Sequence, residues 1–237
     1  MAFYKSIFIF SFIICVKSKL DAPFTACPKD DVPCLSTAAE TFFTKTFEGV
    51  ENLNIKKIDP LTIAALDVIE NENELVLHFT NMVVTGLKNL KVSDVKLDAD
   101  KKSVVIQMKG DLSIVSDVQV ELIKTQKSFG GHYSASGYVI ATSKYTYSIV
   151  QEDGADHFSL GPETNSCEIV TEPKLTLKVE LKDDADKEEY AKMPDLDKSS
   201  LRKKTVCEIV SVAMETILSN LRAAAKAYPK EAFFTDL

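Results

Sequence analysis

A chain of 237 residues, 45% of them hydrophobic, is long enough to bury one substantial core without depending on metals or a dense disulfide net. Its formal net charge of −7 becomes −9 if Lys5 and Lys17 are lost with an N-terminal segment. So acidic a chain argues against nucleic acid and anionic membrane surfaces as partners.

Lys5 precedes an apolar run from Ile7 to Val16, closed by Lys17-Ser18. That run is too short to span a bilayer comfortably, so residues 1–18 read as a removable signal peptide. The remainder, 19–237, reads as a single secreted, extracellular domain. No later run approaches membrane-spanning length, and stable membrane insertion is not expected. Removal of the signal leaves Cys27, Cys34, Cys167 and Cys207, an even set suited to two disulfides in an oxidising compartment. Of the three possible pairings, Cys27–Cys34 joins near neighbours, and Cys167–Cys207 would staple a strand region to a C-terminal helix. His78, His132 and His157 do not lie near a cysteine pair at zinc-ligand spacing, so no metal is expected.

Residues Ser36–Phe47 read as a short helix. Thr37-Ala38-Ala39-Glu40 has the capping-box pattern, Leu35, Ala39, Phe42, Phe43 and Phe47 form an apolar side, and Gly49 marks the end. Asp59-Pro60-Leu61 is a turn, because Pro60 pushes Asp59 out of helical geometry. From Glu74 to Leu181 the period is mostly two, as in strands with one buried face. Asn81, Thr85–Asn89 and Asp98-Ala99-Asp100 read as breaks between strands. Val104, Ile106 and Met108 alternate with polar neighbours. Leu112 and Ile114 begin a further strand, and a slip near Ser116-Asp117 suggests a bulge before Val118, Val120 and Leu122. A long strand carries Tyr133, Ala135, Gly137, Val139, Ala141, Ser143, Tyr145, Tyr147 and Ile149 on one face. Later strands hold Phe158 and Leu160, then Leu175 to Leu181. Strands of this length in succession predict an antiparallel, strongly curved sheet. The charge-dense block Asp183–Glu189 reads as a solvated connector. A long helix from about Ser199 to Tyr228, stopped by Pro229, carries an apolar stripe through Val206, Ile209, Val210, Ala213, Ile217, Leu221, Ala224 and Tyr228.

No nucleophile elbow, HExxH pair, P-loop or GxGxxG turn is present. Asp98-Ala99-Asp100-Lys101-Lys102 lacks the glycine and terminal glutamate of a calcium loop and reads as a hairpin turn. No complete acid, base and nucleophile set can be assembled, so the chain is not read as an enzyme, and no cofactor is expected. An apolar pocket is the more economical source of function. The long strand offers material for one: Ala135, Gly137, Ala141 and Ser143 leave room, while Tyr145 and Tyr147 bring hydroxyls. The same pattern also suits close helix packing with both tyrosines in the core.

The stretch Leu75–Met108, together with Cys27-x6-Cys34, Ile58-Asp59-Pro60-Leu61, Leu66-Asp67-Val68-Ile69 and Thr85-Gly86-Leu87-Lys88-Asn89, resembles the insect takeout family and, within it, the haemolymph juvenile hormone binding proteins. The resemblance continues through Asp111–Val115, Lys127-Ser128-Phe129, Pro162-Glu163-Thr164 and Leu221–Lys226. The second cysteine pair favours the circulating hormone carriers over takeout proteins at large.

This resemblance implies an α+β, TULIP-type fold: a long C-terminal helix wrapped by a highly curved antiparallel sheet, with elongated hydrophobic cavities toward its ends. It implies reversible binding of juvenile hormone, an epoxidised sesquiterpenoid methyl ester, or a similar small apolar ligand, by a monomeric haemolymph carrier. The movable lid helix of such carriers maps onto Ser36–Phe47, with Phe42 and Phe43 facing the ligand. The tyrosine that hydrogen-bonds the epoxide maps onto Tyr145. Tyr147, Val139 and Ala141 are expected as further walls. The alternatives are a takeout-like carrier of other terpenoids or fatty acids and, in another class, a lipid-surface or defence protein; the acidic balance counts against the latter.

Overall fold

A computed structural model describes residues 21–70, 75–191 and 199–237. The expected signal peptide, residues 1–18, lies outside the described residues.

The first helix, α1, spans Val32–Thr46, four residues earlier at its start than the capping-box pattern predicts. Asp31 is the N-cap, its carboxylate accepting from the Cys34 amide at 3.0 Å, and Pro33 stands in the first turn where a missing N–H costs nothing. Thr37 is therefore interior, and its hydroxyl donates back to the Pro33 carbonyl at 3.0 Å.

Seven strands follow: β1 (Leu61–Glu70), β2 (Leu75–Thr85), β3 (Lys91–Asp98), β4 (Ser103–Leu122), β5 (Lys127–Glu152), β6 (Ala155–Ile169) and β7 (Lys174–Val179). All pair antiparallel in one sheet of order β1-β2-β4-β5-β6, with β3 also on β4 and β7 also on β5. β4 and β5 are the spine of the sheet, 20 and 26 residues long. No break separates Met108 from Leu112. Even-numbered residues of β4 face inward throughout, and Gly110 is the interruption because a Cβ there would sit 3.0 Å from Leu90 Cδ2.

The bulge expected near Ser116-Asp117 lies instead in the partner strand. Asn81 and Met82 of β2 together oppose the single residue Ser116, with Asn81 at φ 52°. Asn81 is thus an extra residue inside a strand, not a break between two. The bulge reverses parity along β2, so Leu75, Leu77 and Phe79 face inward before it, and Met82 and Val84 after it.

The charged block expected as a loop forms a short exposed helix, α2 (Asp184–Ala191). Asp183 supplies its N-terminal acceptor, bonding the Asp186 amide at 2.8 Å, and the Asp184–Lys187 pair spans one turn.

The long helix α3 (Ser199–Ala227) buries Val206, Ile209, Val210, Ala213, Met214, Ile217 and Leu218. It packs against β6, β5 and β1. β1 and β6 are the two ends of the strand order, and four strand spacings would separate them by about 19 Å in a flat sheet. Both reach one helix only because the sheet curls around it. The two ends do not pair, and the sheet stays open.

The disulfides Cys27–Cys34 and Cys167–Cys207 are both formed, the second joining β6 to α3. Buried polar groups complete the frame. Asn220 of α3 accepts from the Lys56 amide and donates to its carbonyl, both at 2.7 Å. The Asp59 carboxylate accepts from the Gly86 and Lys88 amides at 3.1 Å, tying the turn before β1 to the Thr85–Asn89 segment. Gly86 must be glycine there: its φ is 100°, and a Cβ would lie 2.4 Å from the Asp111 carbonyl oxygen.

Candidate ligand cavity beneath the first helix

A cavity of about 170 Å³ lies between α1, one end of the sheet, and α3. Its roof is Leu35, Ala38, Ala39 and Phe42, at the three- and four-residue spacing of one helix face. Val92, Val95 and Leu97 of β3 with Val104 and Ile106 of β4 form one side; Phe158 and Leu160 of β6 form another. Leu221, Ala224 and Ala225 of α3 line it from within the fold, and Phe24, Phe233 and Phe234 bring the two terminal segments to its rim.

β3 can supply this wall only because of its own irregularity. The register shifts between Val92 and Asp94, which reverses parity and turns both Val92 and the later Val95 and Leu97 inward. Ser93, at the shift, is satisfied by Gln107 at 2.9 Å.

The terminal aromatics form a connected rim. Phe24 meets Phe42 at 5.9 Å, Tyr228 at 6.0 Å and Phe233 at 5.0 Å; Phe158 meets Tyr147 at 5.5 Å, Phe233 at 5.9 Å and Phe234 at 5.6 Å. Most of these contacts are edge-to-face, the arrangement aromatic rings favour.

Polar chemistry in the cavity is confined to Thr25 and the two tyrosines. Tyr145 keeps some accessible surface, and that surface belongs to the cavity wall. Burial pushes its phenol up to about 12, against the pull of the nearby Arg222 guanidinium, so Tyr145 is a protonated donor at any physiological pH. No group among the described residues hydrogen-bonds its hydroxyl. Tyr147 is more deeply packed, at 7% exposure, and its phenol is also raised by burial and, secondarily, by the Asp98 carboxylate.

Of the residues singled out from sequence, Tyr145, Tyr147 and Phe42 line this cavity. Phe43, Val139 and Ala141 do not: all three are buried in the adjoining core, Phe43 against Phe42 at 5.9 Å. Ser143 is also filled space, its hydroxyl donating to Asn165 at 2.7 Å. Val95, Leu97, Phe158, Phe233 and Phe234 also line the cavity, although their sequence pattern alone does not mark them as site residues. The spacing Val92-x-x-Val95-x-Leu97 was the available signal, a parity change that only a bulge reconciles with one buried face. The histidines lie elsewhere: His78 bonds Asp67 and Glu121, His132 pairs with Asp117, and buried His157 faces the Ala225 carbonyl.

The family model described as haemolymph juvenile hormone binding protein (JHBP) matches residues 7–143. The juvenile hormone-binding protein of Manduca sexta is 40% identical over 228 residues, which cover 94% of this chain and 100% of that one. The chain belongs to the haemolymph juvenile hormone binding protein family. The crystal structure of Takeout 1 from Epiphyas postvittana matches with a TM-score of 0.74 at 14% identity, covering 88% of this chain and 98% of the other. At that identity the match shows the shared fold: a large antiparallel sheet with a long C-terminal helix. In this member of the juvenile hormone binding protein family, the cavity therefore joins an almost wholly apolar wall to two phenols, those of Tyr145 and Tyr147.

Proposed function

We propose that residues 19–237 act, after removal of the signal peptide, as a single-domain, monomeric carrier that binds juvenile hormone in haemolymph and shields it from water and hydrolytic enzymes. The observation that carries this reading is the Tyr145 hydroxyl, without a hydrogen-bond partner among the described residues, in a cavity whose other polar side chains are only Thr25 and Tyr147. An epoxidised sesquiterpenoid ester matches that pattern: a long apolar body with acceptors at its two ends and no donor. No chemistry on the ligand is needed.

Burial drives such binding, at about 0.8 kcal/mol per CH2 removed from water. At roughly 0.3–0.5 kcal/mol per heavy atom, a ligand of about twenty heavy atoms gains about 6–10 kcal/mol. That corresponds to dissociation constants from roughly tens of micromolar to tens of nanomolar. The tyrosine then supplies orientation and discrimination, since a buried acceptor left without a donor costs about 1–3 kcal/mol.

Native mass spectrometry of the secreted protein, offered an equimolar mixture of juvenile hormones and fatty acids, tests the proposal. Retention of one hormone molecule per chain in preference to every fatty acid is expected. Preferential retention of fatty acids would replace it with the reading of a takeout-like lipid carrier.

A further inference from the structure

The segment Pro162-Glu163-Thr164 and the side chain of Arg222, none of which lines the cavity, meet behind Tyr145. The pairing of β5 with β6 is irregular there: Tyr145 faces Glu163 and Tyr147 faces Leu160, so Gly161 and Pro162 together oppose the single residue Thr146. Pro162 has no amide to donate, and Gly161 is tight against Thr146, whose Oγ1 would lie 2.7 Å from a Cβ at that position. This bulge interrupts the β5–β6 ladder, and it sits between the two tyrosines.

One side chain closes it. From α3, Arg222 donates through Nη2 to the Gly161 carbonyl at 2.7 Å and through Nε to the Leu160 carbonyl at 3.4 Å. Its two Nη atoms also meet the Glu163 carboxylate, which the cation holds below the usual carboxylate range. A surface ion pair would contribute little. A planar fork bonded to three residues across four positions fixes geometry instead, and lysine cannot reproduce it.

We infer that Arg222 is a positioning residue for the Tyr145 hydroxyl, locking the β6 bulge so that the phenol is presented to the acceptor of a bound ligand. The inference rests on the Tyr145 reading above and goes beyond it by placing part of the selectivity in a side chain outside the cavity wall. The guanidinium is also close enough to counter the effect of burial on the phenol, which strengthens its O–H as a donor.

The test compares affinity for the epoxide hormone with affinity for an analogue bearing an alkene in its place. It uses the wild type, Tyr145→Phe, Arg222→Met and Arg222→Lys. Arg222→Met should reduce the epoxide preference by roughly 3- to 10-fold, the scale of coupling between neighbouring groups. Affinity for the alkene should stay within about twofold, since the apolar wall is unchanged. Arg222→Lys keeps the charge, is the milder change for folding, and should also lose preference because one compact nitrogen cannot span the acceptors that three guanidinium nitrogens reach. Loss of affinity for both ligands alike, or an unchanged preference in both Arg222 variants, overturns the inference while leaving Tyr145 in place. If Tyr145→Phe itself leaves the preference unchanged, the Tyr145 reading fails and this inference falls with it. If Arg222→Met does not fold, Arg222→Lys decides by the same criterion.

Discussion

Cys27 and Phe234 lie side by side as a parallel β-bridge that closes the N-terminal segment onto the C-terminal tail. The Cys27 amide donates to the Phe233 carbonyl at 3.0 Å, and the Thr235 amide donates to the Cys27 carbonyl at 3.1 Å. The Lys29 amide adds a bond to the Asp236 carboxylate at 2.8 Å. With Cys27 also bonded to Cys34 in the first turn of α1, the start of the helix is held to the tail, and Phe233 and Phe234 beside it line the cavity.

The far end is held as well, the Ile58 amide donating to the Phe47 carbonyl at 2.9 Å, and we propose that the helix between these two ties opens as a lid. A ligand closes such a roof only by binding the closed state more tightly. Amide hydrogen exchange across 32–46 should slow when juvenile hormone is added, by up to roughly 100-fold at ligand concentrations 100 times Kd if opening governs exchange. Equal exchange with and without saturating ligand would remove the lid.

The two disulfides should differ in their contribution. Cys27–Cys34 closes a span of 7 residues and Cys167–Cys207 one of 40. On chain entropy the first contributes roughly 2.5 kcal/mol and the second roughly 4 kcal/mol. Denaturant unfolding of Cys27→Ala/Cys34→Ala and Cys167→Ala/Cys207→Ala double variants should show the larger loss for the second pair. Equal losses would mean that the long loop is already ordered in the unfolded chain.

His78 bridges three strands on the sheet, bonding Asp67 of β1 and Glu121 of β4 at 2.8 Å each. The hydrogen bond to Glu121, then that to Asp67, raises its pKa above the ordinary 6.5. A raised folded value means that the proton is held more tightly in the folded state. The contribution is complete below pH 6.5 and is lost as pH rises through the folded value. The ring is a third exposed, so the effect is small. The fall in Tm between about pH 5.5 and 8.5 should shrink by roughly 1–2 °C in His78→Gln, which cannot titrate. An unchanged slope would show that the three-strand bridge carries no proton linkage.

Much of this fold is legible in periodicity. Alternation over Val104–Leu122 and Tyr133–Tyr147 reports which face is buried, and the spacing Val206–Ile209–Val210–Ala213–Ile217 reports the helix that fills it. What periodicity loses is the irregular residue. Asn81 looks like a strand end because a polar residue prone to positive φ marks turns and bulges alike. Gly110 looks like a gap, although the strand runs through it to make room for Leu90. Thr37–Glu40 looks like a cap, yet Asp31 and Pro33 begin the helix a turn earlier.

The site follows the same rule. Tyr145 and Phe42 sit on regular faces and could be read. Val95 and Leu97 reach the cavity only through a register shift, and Phe233 and Phe234 only through tertiary contact between the two termini. Val139 and Ala141 share a face with Tyr145, but that face continues past the cavity into solid core. Sharing a face does not fix depth along it.

We propose that the apolar wall supplies most of the affinity and the Tyr145 hydroxyl the selectivity for an epoxide. Tyr145→Phe keeps the ring and nearly the same volume while deleting the donor. Affinities of wild type and variant for the epoxide hormone and its alkene analogue form a cycle that isolates the coupling between hydroxyl and epoxide. The variant should bind the epoxide more weakly by about 1–3 kcal/mol, or roughly 5- to 150-fold, and should bind the alkene almost as the wild type does. Equal weakening of both ligands would make Tyr145 a packing residue and contradict the account.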